Sequence, residues 1–456
     1  MDLACLTVGS VIGVMLRFGH EEMTEYVFNH LEGWILLFGG VILANYLAGS
    51  YRLQYTFSRF NLVVTWLFSL AFALLILSIT SYAWFMILLG RGVLVLSLAS
   101  YSVIALFLKL LIYRNLFRSE AFACRTAILG VGGKARESMR LLENPFILPA
   151  HKVVACIRLL ESGEEAPGRG PVFDRTVVVD ASKEQLEAVV RSLDVNLIVM
   201  ALEDRELEAR VYPQLRRLRF QGTEVMSRLV LAETYSGRTP LDLIDEEFLM
   251  QASMESQLPM VWRVKRLFDL LLSLAGCLLF LPVLVVIALA MKLAAPRAPV
   301  FYRQLRTGRF GSTFQIYKIR TMRPGAEMET GPVWAEKDDP RITRIGRILR
   351  RFRIDEAPQF LNILKGNMSL VGPRPERPEI AAELSASIPY YAERENVMPG
   401  LTGWAQIRYP YGNSVDDAKR KLEYDLYYIK HVSLSLDLQV LLSTLRIVLL
   451  GKEHTV

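Results

Sequence analysis

Two adjacent carboxylates are the residues of this chain best suited to do chemistry. Asp355 and Glu356 follow a run of arginines and precede a Pro-Arg-Pro turn at residues 373–375. Because opposite charges nearby favour the ionised form of a carboxylate, we expect both side chains to be charged. An ionised carboxylate beside phosphate-binding cations can bind a metal ion or attack phosphorus. The pattern therefore predicts a catalytic centre at this position.

Cationic and polar side chains that could surround these carboxylates lie in three further segments. Lys318 and Arg320 end the second strand of a hairpin predicted within residues 299–322, and Arg374 lies in the rigid turn. Such groups bind phosphate oxygens well, although a solvated basic face would show the same composition. A glycine-punctuated loop at 398–407 could line a base or sugar pocket, or could be a tight connection. The candidate substrate-binding residues are Lys318, Arg320, Pro373, Pro375 and Gln406.

A short basic helix is predicted immediately before the carboxylates. Apolar residues recur at helical spacing from Ile342 to Phe352, with four arginines between and beside them. This pattern is typical of an amphipathic helix that lies in a membrane interface. It is equally compatible with a helix that packs on a core and exposes a basic back.

Composition indicates a chain that is partly membrane and partly water-soluble. Of its 456 residues, 52% are hydrophobic and the formal net charge is +7, with a mean hydropathy of +0.28. A basic chain suits anionic lipid head groups or phosphorylated substrates. The four scattered cysteines have no CxxC spacing, so we expect neither a zinc site nor a disulfide framework. The five histidines have no paired spacing, which argues against a transition-metal site.

The N-terminal part of the chain alternates apolar runs with short polar joints. Four membrane spans are predicted, at about residues 3–16, 34–49, 62–80 and 93–112, close to the length of about 20 residues that a bilayer requires. The first joint is acidic, whereas Arg52, Arg59 and the end of the last span are basic. By the positive-inside rule, the bundle then begins and ends in the cytoplasm. Asp2 stands where a cleavable signal peptide would be basic, so we interpret the block as an anchor.

From Arg125 the pattern changes to short β-rich runs that alternate with amphipathic helices. Strands are predicted at residues 126–129, 153–157, 176–179 and 196–200, with helices at 135–142, 183–193 and 204–219. This alternation predicts a parallel α/β sheet. Gly130, Gly132 and Ala135 match the G-x-G-x-x-G/A pattern of a pyrophosphate-binding turn, but the acidic ribose ligand expected about 20 residues later is missing. Nucleotide binding and a purely structural turn both remain open.

A second informative element is the apolar run at residues 267–291, which is long enough to cross a bilayer. Basic residues flank it on both sides, namely Arg263, Lys265, Arg266, Lys292, Arg297 and Arg303. Both ends are therefore expected to face the cytoplasm. Pro282 removes a backbone hydrogen bond near the middle and can bend the helix. These features predict a re-entrant helix.

These motifs together resemble a known family. Residues 265–450 are similar to the bacterial sugar transferase domain of the polyprenyl phosphoglycosyl transferases. The resemblance rests on KRLFD with its proline-broken helix, PVFYRQLRTGRFGSTFQIYKIRTM, RIDEAPQFLNILKGNMSLVGPRPE, PGLTGWAQI and YDLYYIKHVSLSLDL. In architecture the whole chain resembles the large members that initiate exopolysaccharide, capsule or O-antigen synthesis. One departure is Leu281, because the family often has serine before the helix-breaking proline.

The resemblance implies a mechanism and a set of partners. Asp355 would be the nucleophile that attacks the phosphorus bearing the sugar of a UDP-sugar and expels UMP. Undecaprenyl phosphate would then take the phosphosugar from the enzyme. Glu356 would bind Mg²⁺, and Arg374, with Lys318 and Arg320 as weaker candidates, would stabilise the charge of the transferring phosphoryl group. The expected location is the bacterial inner membrane, with the catalytic domain on its cytoplasmic face.

The fold class predicted from these features is membrane α plus α/β. It comprises a four-helix transmembrane bundle at residues 1–118, a Rossmann-like domain at 119–249, and a mostly helical monotopic catalytic domain at 250–456 with a re-entrant helix and a short β-hairpin. The partners expected are a UDP-sugar, undecaprenyl phosphate and the lipid bilayer, with a homodimer as a possibility and no nucleic acid. The alternatives are a glycosyltransferase that releases UDP and an inactive membrane scaffold.

Overall fold

The computed structural model describes the whole chain except residues 20, 22, 48–49, 52–58, 84–88, 116–122, 144–150, 163–176, 245–258, 324–340, 410–411, 413 and 451–456. The chain divides into two compact units, Met1–Ser236 and Gly237–Val456, called here the N-terminal and C-terminal units. The boundaries predicted near residues 118 and 249 fall outside the described residues, and so does Arg52 of the second joint.

Among the described residues, five helices precede the sheet of the N-terminal unit. They are α1 (Asp2–Phe18), α2 (Met23–Asn29), α3 (Leu31–Leu47), α4 (Arg59–Ala83) and α5 (Arg91–Asn115). Helix α1 packs along α5, and α3 packs along α4. Asp2, at the start of α1, forms an ion pair of 3.4 Å with Lys109 near the end of α5. The start of α1 therefore lies beside the end of α5.

By length and composition alone, two of the described helices could cross a membrane, Arg91–Ile112 and Pro259–Ala294. Shorter apolar helices lie at Leu31–Tyr46, Thr65–Ser78 and Leu434–Leu445. In the most apolar stretch of Pro259–Ala294 only 6% of the residues are buried, so this helix is not a core helix of its unit. The prediction of four N-terminal spans stays a prediction.

A five-stranded parallel sheet forms the rest of the N-terminal unit. Its strands are β1 (Cys124–Leu129), β2 (His151–Leu159), β3 (Val177–Ala181), β4 (Leu197–Met200) and β5 (Glu224–Ser227), in the order β3-β2-β1-β4-β5. The helices are α6 (Gly133–Leu142), α7 (Leu186–Ser192), α8 (Arg205–Phe220) and α9 (Arg228–Ser236). The predicted parallel α/β arrangement is confirmed. Strand β5 was not predicted, because this short edge strand is too polar to stand out as a buried run.

The glycine-rich turn between β1 and α6 is occupied by a carboxylate of the same chain. The backbone N–H of Lys134 donates a hydrogen bond of 2.9 Å to Glu203 Oε1, and Lys134 Nζ donates to the Glu203 carbonyl at 3.2 Å. A pyrophosphate would bind to this end of the helix in a dinucleotide-binding turn. Glu203 provides the negative charge there instead, which favours the structural interpretation of the turn.

The first described residues of the C-terminal unit are 237–244, and the long helix α10 (Pro259–Ala294) is its first described α-helix. Helix α10 continues through Pro282 without a break. The predicted hairpin is confirmed as antiparallel β6 (Phe301–Thr307) and β7 (Thr313–Ile319). The remaining elements are α11 (Arg344–Arg351), α12 (Phe360–Leu364), β8 (Ser369–Val371), α13 (Pro378–Ser387), β9 (Gly400–Thr402), α14 (Trp404–Arg408), α15 (Val415–Lys430) and α16 (Leu434–Leu450).

The apolar residues of the basic helix α11 divide between two environments. Leu349 is buried and packs with Met291 and Ile319, so one side of α11 contacts the unit's own core. Ile348 and Phe352 are 60% and 47% exposed. The helix therefore combines the two alternatives: part of its apolar surface packs inward, and part remains exposed.

Strands β8 and β9 form a short parallel pair that the sequence did not predict. Their backbones approach so closely at Gly372 and Gly400 that a Cβ atom on Gly400 would lie 2.1 Å from the Gly372 nitrogen. Only glycine fits this approach. The pair brings the Pro-Arg-Pro turn beside the loop that contains Gln406.

Candidate active site

The two carboxylates lie on a short 3-10 helix, Ile354–Gln359, that follows α11. Arg353 precedes it with a φ of 54°, in the left-handed region that non-glycine residues rarely adopt. This change of direction carries Asp355 and Glu356 into the unit, where each is only 8% exposed. Unfavourable backbone conformations of this kind persist where the surroundings impose them, commonly at functional sites.

Three cationic side chains contact the carboxylate of Glu356 within the described part of the chain. Arg374 Nη2 lies 2.9 Å and Lys318 Nζ 3.6 Å from Oε1, and Arg353 Nη1 lies 3.3 Å from Oε2. Burial by itself raises the pKa of Glu356, but the charges of Arg374, Lys318 and Arg353 outweigh burial. They hold the pKa well below its usual range. Glu356 is therefore ionised at neutral pH, as the sequence predicted.

The expectation that positive charge dominates is wrong for Asp355. Burial first, and the charge of Glu356 second, raise the pKa of Asp355 above its ordinary value, despite the opposite effect of Lys318. Removing a carboxylate from water disfavours its charged form, and a second carboxylate adds repulsion. The two neighbours thus have pKa values shifted in opposite directions, an arrangement typical of carboxylates with different chemical roles.

Lys318 is brought to the carboxylates by the hairpin. It lies on β7, and the side chain of Asn362 on α12 fastens that strand to the helix. Asn362 Oδ1 accepts a hydrogen bond of 3.0 Å from the Tyr317 nitrogen, and its Nδ2 donates one of 2.7 Å to the Gln315 carbonyl. Burial lowers the pKa of Lys318 to about 8, although the charge of Glu356 acts in the opposite direction.

Arg374 joins the dyad to the loop of Gln406. Its Nη2 donates to Glu356, and its Nη1 donates to Gln406 Oε1 at 3.1 Å. Two acceptors on different segments thus orient one planar guanidinium, an arrangement that a lysine cannot reproduce. The structure therefore brings together Asp355, Glu356, Lys318, Arg374 and Gln406 from four separate stretches of sequence.

The backbone of the Pro-Arg-Pro turn is also held in place. Its three carbonyls accept hydrogen bonds: Pro373 from the Gly400 nitrogen (2.8 Å), Arg374 from Arg394 Nη2 (3.0 Å) and Pro375 from Arg306 Nη1 (2.9 Å). Arg394 is itself paired with Asp425 at 2.9 Å, and both side chains are buried. The rigidity expected from two prolines is thus reinforced by contacts from three other segments.

Two predicted site residues lie outside this group. The guanidinium of Arg320 donates to the carbonyls of Pro299 (2.7 Å) and Met322 (3.4 Å), so it supports the base of the hairpin. Its role in phosphate binding stays a prediction. Pro282 was predicted to break the helix, but it lies within the exposed stretch of α10, which continues through it without a break.

A buried polar network, which the sequence analysis missed, joins the start of α10 to strand β8. Lys265 Nζ donates to Asp437 Oδ2 (2.5 Å) and to the Val371 carbonyl (3.1 Å), and Tyr428 Oη donates to Asp437 Oδ1 (2.7 Å). Asp269 Oδ1 accepts from the Leu370 nitrogen at 3.0 Å. Lys265 and Asp269 lie four residues apart on one face of a helix, a signal that could have indicated an inward-facing polar pair. The network fixes the strand that leads into the Pro-Arg-Pro turn.

No group of three or more His, Cys, Asp or Glu side chains that could hold a metal occurs among the described residues. The donor chemistry nevertheless fits Mg²⁺, because this ion is commonly bound by only one or two protein carboxylates together with substrate phosphates and water. Asp355 and Glu356 are carboxylates of this kind, and Glu356 would exchange one of its contacts with a cationic side chain for the metal. A site that depends on substrate oxygens would not appear as a preformed protein cluster.

Comparison with known proteins gives a match over most of the C-terminal unit. The sequence model of the family described as "Bacterial sugar transferase" matches residues 260–451. A relative from Aeromonas hydrophila, named "UDP-N-acetylgalactosamine-undecaprenyl-phosphate N-acetylgalactosaminephosphotransferase", is 37% identical over 254 residues, which is 56% of this chain and 59% of that protein. The chain thus spans less than two thirds of that relative.

Two other relatives are matched over 40% of this chain. The "UDP-glucose:undecaprenyl-phosphate glucose-1-phosphate transferase" of Caulobacter vibrioides is 45% identical over 184 residues, 67% of its length. The "Exopolysaccharide production protein PSS" of Rhizobium leguminosarum bv. phaseoli is 39% identical over 186 residues, 92% of its length. Nearly the whole of the latter protein is therefore matched by this chain. On these matches, the chain belongs to the bacterial sugar transferase family.

Proposed function

We propose that this protein is a membrane phosphoglycosyl transferase that moves a sugar-1-phosphate from a UDP-sugar to undecaprenyl phosphate. The reaction would initiate the synthesis of an exopolysaccharide, capsule or O-antigen at the cytoplasmic face of the bacterial inner membrane. The observation that carries the proposal is the pair of buried carboxylates. The pKa of Asp355 is raised and that of Glu356 is lowered, and Glu356 contacts Lys318, Arg353 and Arg374. Family membership and the substrates in the names of the relatives support it.

In the first step, a carboxylate oxygen of Asp355 attacks the phosphorus that bears the sugar. The bond from that phosphorus to the bridging oxygen of the diphosphate breaks, and UMP leaves with the electron pair. The product is an acyl phosphate between Asp355 and the sugar phosphate. The burial that raises the pKa of Asp355 leaves it a stronger base than an exposed aspartate, which favours attack.

In the second step, an oxygen of undecaprenyl phosphate attacks the same phosphorus. The bond to Asp355 breaks, the carboxylate is released, and polyprenyl-diphosphate-sugar forms. Covalent catalysis lets a water-soluble donor and a lipid acceptor occupy one site in turn. A direct transfer would require both to be bound together.

The cations offset the repulsion between a carboxylate and an anionic phosphate. Arg374, held in a fixed orientation by Glu356 and Gln406, is assigned to the transferring phosphoryl group, with Lys318 beside it. Glu356, with its strongly lowered pKa, is ionised and forms ion pairs with both Arg374 and Lys318, which holds the two cations close to each other. Mg²⁺, held by Glu356 and the substrate diphosphate, would neutralise charge on that diphosphate.

We further infer the membrane arrangement that the substrates require. Residues 1–118 would be a four-span bundle, 119–249 a Rossmann-like domain and 250–456 the catalytic domain. Helix α10 would be re-entrant, because its exposed apolar stretch is flanked by basic residues at both ends. Cysteine labelling from outside the cell just after Lys292 should fail, whereas efficient labelling there would mean that α10 spans the membrane.

The products of the reaction test the proposed chemistry. Purified protein in nanodiscs with undecaprenyl phosphate should release UMP from one member of a panel of UDP-sugars. Release of UDP would identify a glycosyltransferase instead, and no turnover with any UDP-sugar would favour an inactive scaffold. Asp355→Asn should abolish UMP release, because an amide cannot form the acyl phosphate. Asp416→Asn, at a side chain that is 91% exposed in the same unit, is the matched control and should leave the rate unchanged.

A further inference from the structure

The first residues of the C-terminal unit lie against the short helix α14, which contains Trp404 and Gln406. Residues 237–244, called here the strap, run over α14 and α15 before the chain reaches α10. The Gly237 carbonyl accepts a hydrogen bond of 2.7 Å from Trp404 Nε1. Arg238 Nη1 donates to Glu423 Oε2 at 2.8 Å, and the Thr239 nitrogen donates to the Glu423 carbonyl at 3.0 Å. Thr239 is fully buried, so the strap is packed and not loosely attached.

The contact between Gly237 and Trp404 leaves no space for a side chain at position 237. Gly237 has a φ of +63°, and a Cβ atom on it would lie 3.0 Å from Trp404 Cζ2. The indole ring is 3% exposed and stacks on Tyr427, with the ring centroids 5.8 Å apart, while Arg408 lies over its face. The position of the ring is therefore set from one side by the strap and from the others by α14 and α15.

Trp404 lies two residues before Gln406 on the short helix α14. Gln406 Oε1 accepts the hydrogen bond from Arg374 Nη1, and Arg374 Nη2 donates to Glu356. Both residues lie within about one helical turn of α14, so a shift of that turn would move the indole and the amide together. The strap is thus connected to the catalytic carboxylate through Trp404, Gln406 and Arg374 in sequence.

We propose that the strap is a positioning element, which sets through Trp404 the place where Gln406 orients Arg374 for phosphoryl transfer. The inference rests on the proposed function, in which Arg374 contacts the transferring phosphoryl group. Trp404 and Gly237 are positioning residues and touch no substrate.

Two substitutions in the full-length protein test the proposal. Trp404→Phe keeps an aromatic ring for stacking but removes the N–H that bonds to Gly237, and Gly237→Ala introduces the close contact while keeping the indole. Each should lower kcat for UMP release about tenfold, since small displacements of a group that orients substrate cost up to about 10²-fold. Gly222→Ala is the matched control for positive φ, at +100°, because its Cβ would meet nothing within 4 Å.

A double-mutant cycle separates positioning from a general loss of structure. Gln406→Ala already removes the hydrogen bond between Gln406 and Arg374. In that background, Trp404→Phe should therefore change kcat by less than about twofold. An equal tenfold loss in both backgrounds would overturn the proposal while leaving the proposed function intact. Absence of UMP release by the unchanged protein would instead refute the proposed function.

Hydrogen exchange provides a readout that does not need activity. Gly237→Ala should speed amide exchange in peptides that cover residues 372–376 and 404–408, and leave exchange in strand β1 of the N-terminal unit unchanged. Gly222→Ala should change none of them. If Gly237→Ala left both loop peptides unaltered, the strap would have no positioning role, whatever the activity.

Discussion

Replacing Arg374 by lysine would test whether the forked contact, and not positive charge alone, is what the site requires. The guanidinium of Arg374 donates to Glu356 Oε1 at 2.9 Å and to Gln406 Oε1 at 3.1 Å through two different nitrogens. Lysine keeps the charge but presents all of its donors on a single nitrogen. It therefore cannot reproduce the planar fork that holds Glu356 and Gln406 at the same time in a fixed orientation.

The geometry bounds the expected loss. A hydrogen bond to a charged group contributes about 1.5–3 kcal/mol, and one to a neutral acceptor about 0.5–1.5 kcal/mol. Because a tenfold change in rate corresponds to about 1.4 kcal/mol, weakening the contact with Gln406 should lower kcat by about 2- to 12-fold, and weakening the contact with Glu356 by about 12- to 140-fold. Arg374→Gln also removes the charge near the phosphoryl group, and should cost about 10²- to 10³-fold.

The assay is UMP release by the full-length protein in nanodiscs, with kcat and KM measured for each variant. Arg216→Lys, at an exposed arginine of α8, makes the same chemical change away from the site and should leave both constants unaltered. Equal activity of Arg374→Lys and the unchanged protein would refute the argument from the forked contact. Equal loss in the lysine and glutamine variants would show that the charge of Arg374 contributes nothing.

Three further predictions follow from single contacts. Because burial lowers the pKa of Lys318 to about 8, activity that depends on its charge should fall by about tenfold per pH unit above pH 8; Lys318→Arg, if active, should lose this dependence. Lys265→Met leaves the buried Asp437 carboxylate without its cation and should lower the free energy of unfolding by about 3–5 kcal/mol, measured by denaturation in detergent. Asn362→Ala strands the Tyr317 N–H and should lower the free energy of unfolding by about 1–3 kcal/mol in the same measurement.

For two of these predictions, a specific result would contradict the reasoning. For Lys318, the lowered pKa means that the folded state binds fewer protons than the unfolded state between about pH 8 and the ordinary value of 10.5. Its contribution to stability therefore rises with pH over that window, so unfolding in parallel with the loss of activity would contradict the assignment. For Lys265, the control is Lys419→Met at the exposed pair with Asp416, which should change stability by less than about 0.5 kcal/mol. An equal effect at both pairs would contradict the argument from burial.

Much of the architecture follows from local pattern. The parallel sheet was predicted because short apolar runs alternate with amphipathic helices, and the hairpin because two alternating runs flank a glycine-rich turn. The carboxylate pair, the proline-flanked arginine and the long apolar helix each consist of residues adjacent in the chain, so the sequence alone reveals them. Strand β5 was missed because it is too polar to stand out as a buried run, and β8 and β9 because three residues are too few to show a period.

Contacts between residues that are distant in sequence could be identified only from the folded chain. Arg374 reaches Gln406 over 32 residues, and Lys265 reaches Asp437 over 172. Arg320 looked as suitable for phosphate as Lys318, yet its guanidinium points to backbone carbonyls at the base of the hairpin.

The sequence by itself determined which groups could do chemistry, and the tertiary structure decided how they differ. Asp355 and Glu356 are neighbours with the same local composition, so the sequence predicted the same charge state for both. Folding places Glu356 against Arg374, Lys318 and Arg353, which lowers its pKa, and buries Asp355 so that its pKa rises. A pKa depends on solvation and on the distance to other charges, and both are properties of the packed chain that no local pattern contains.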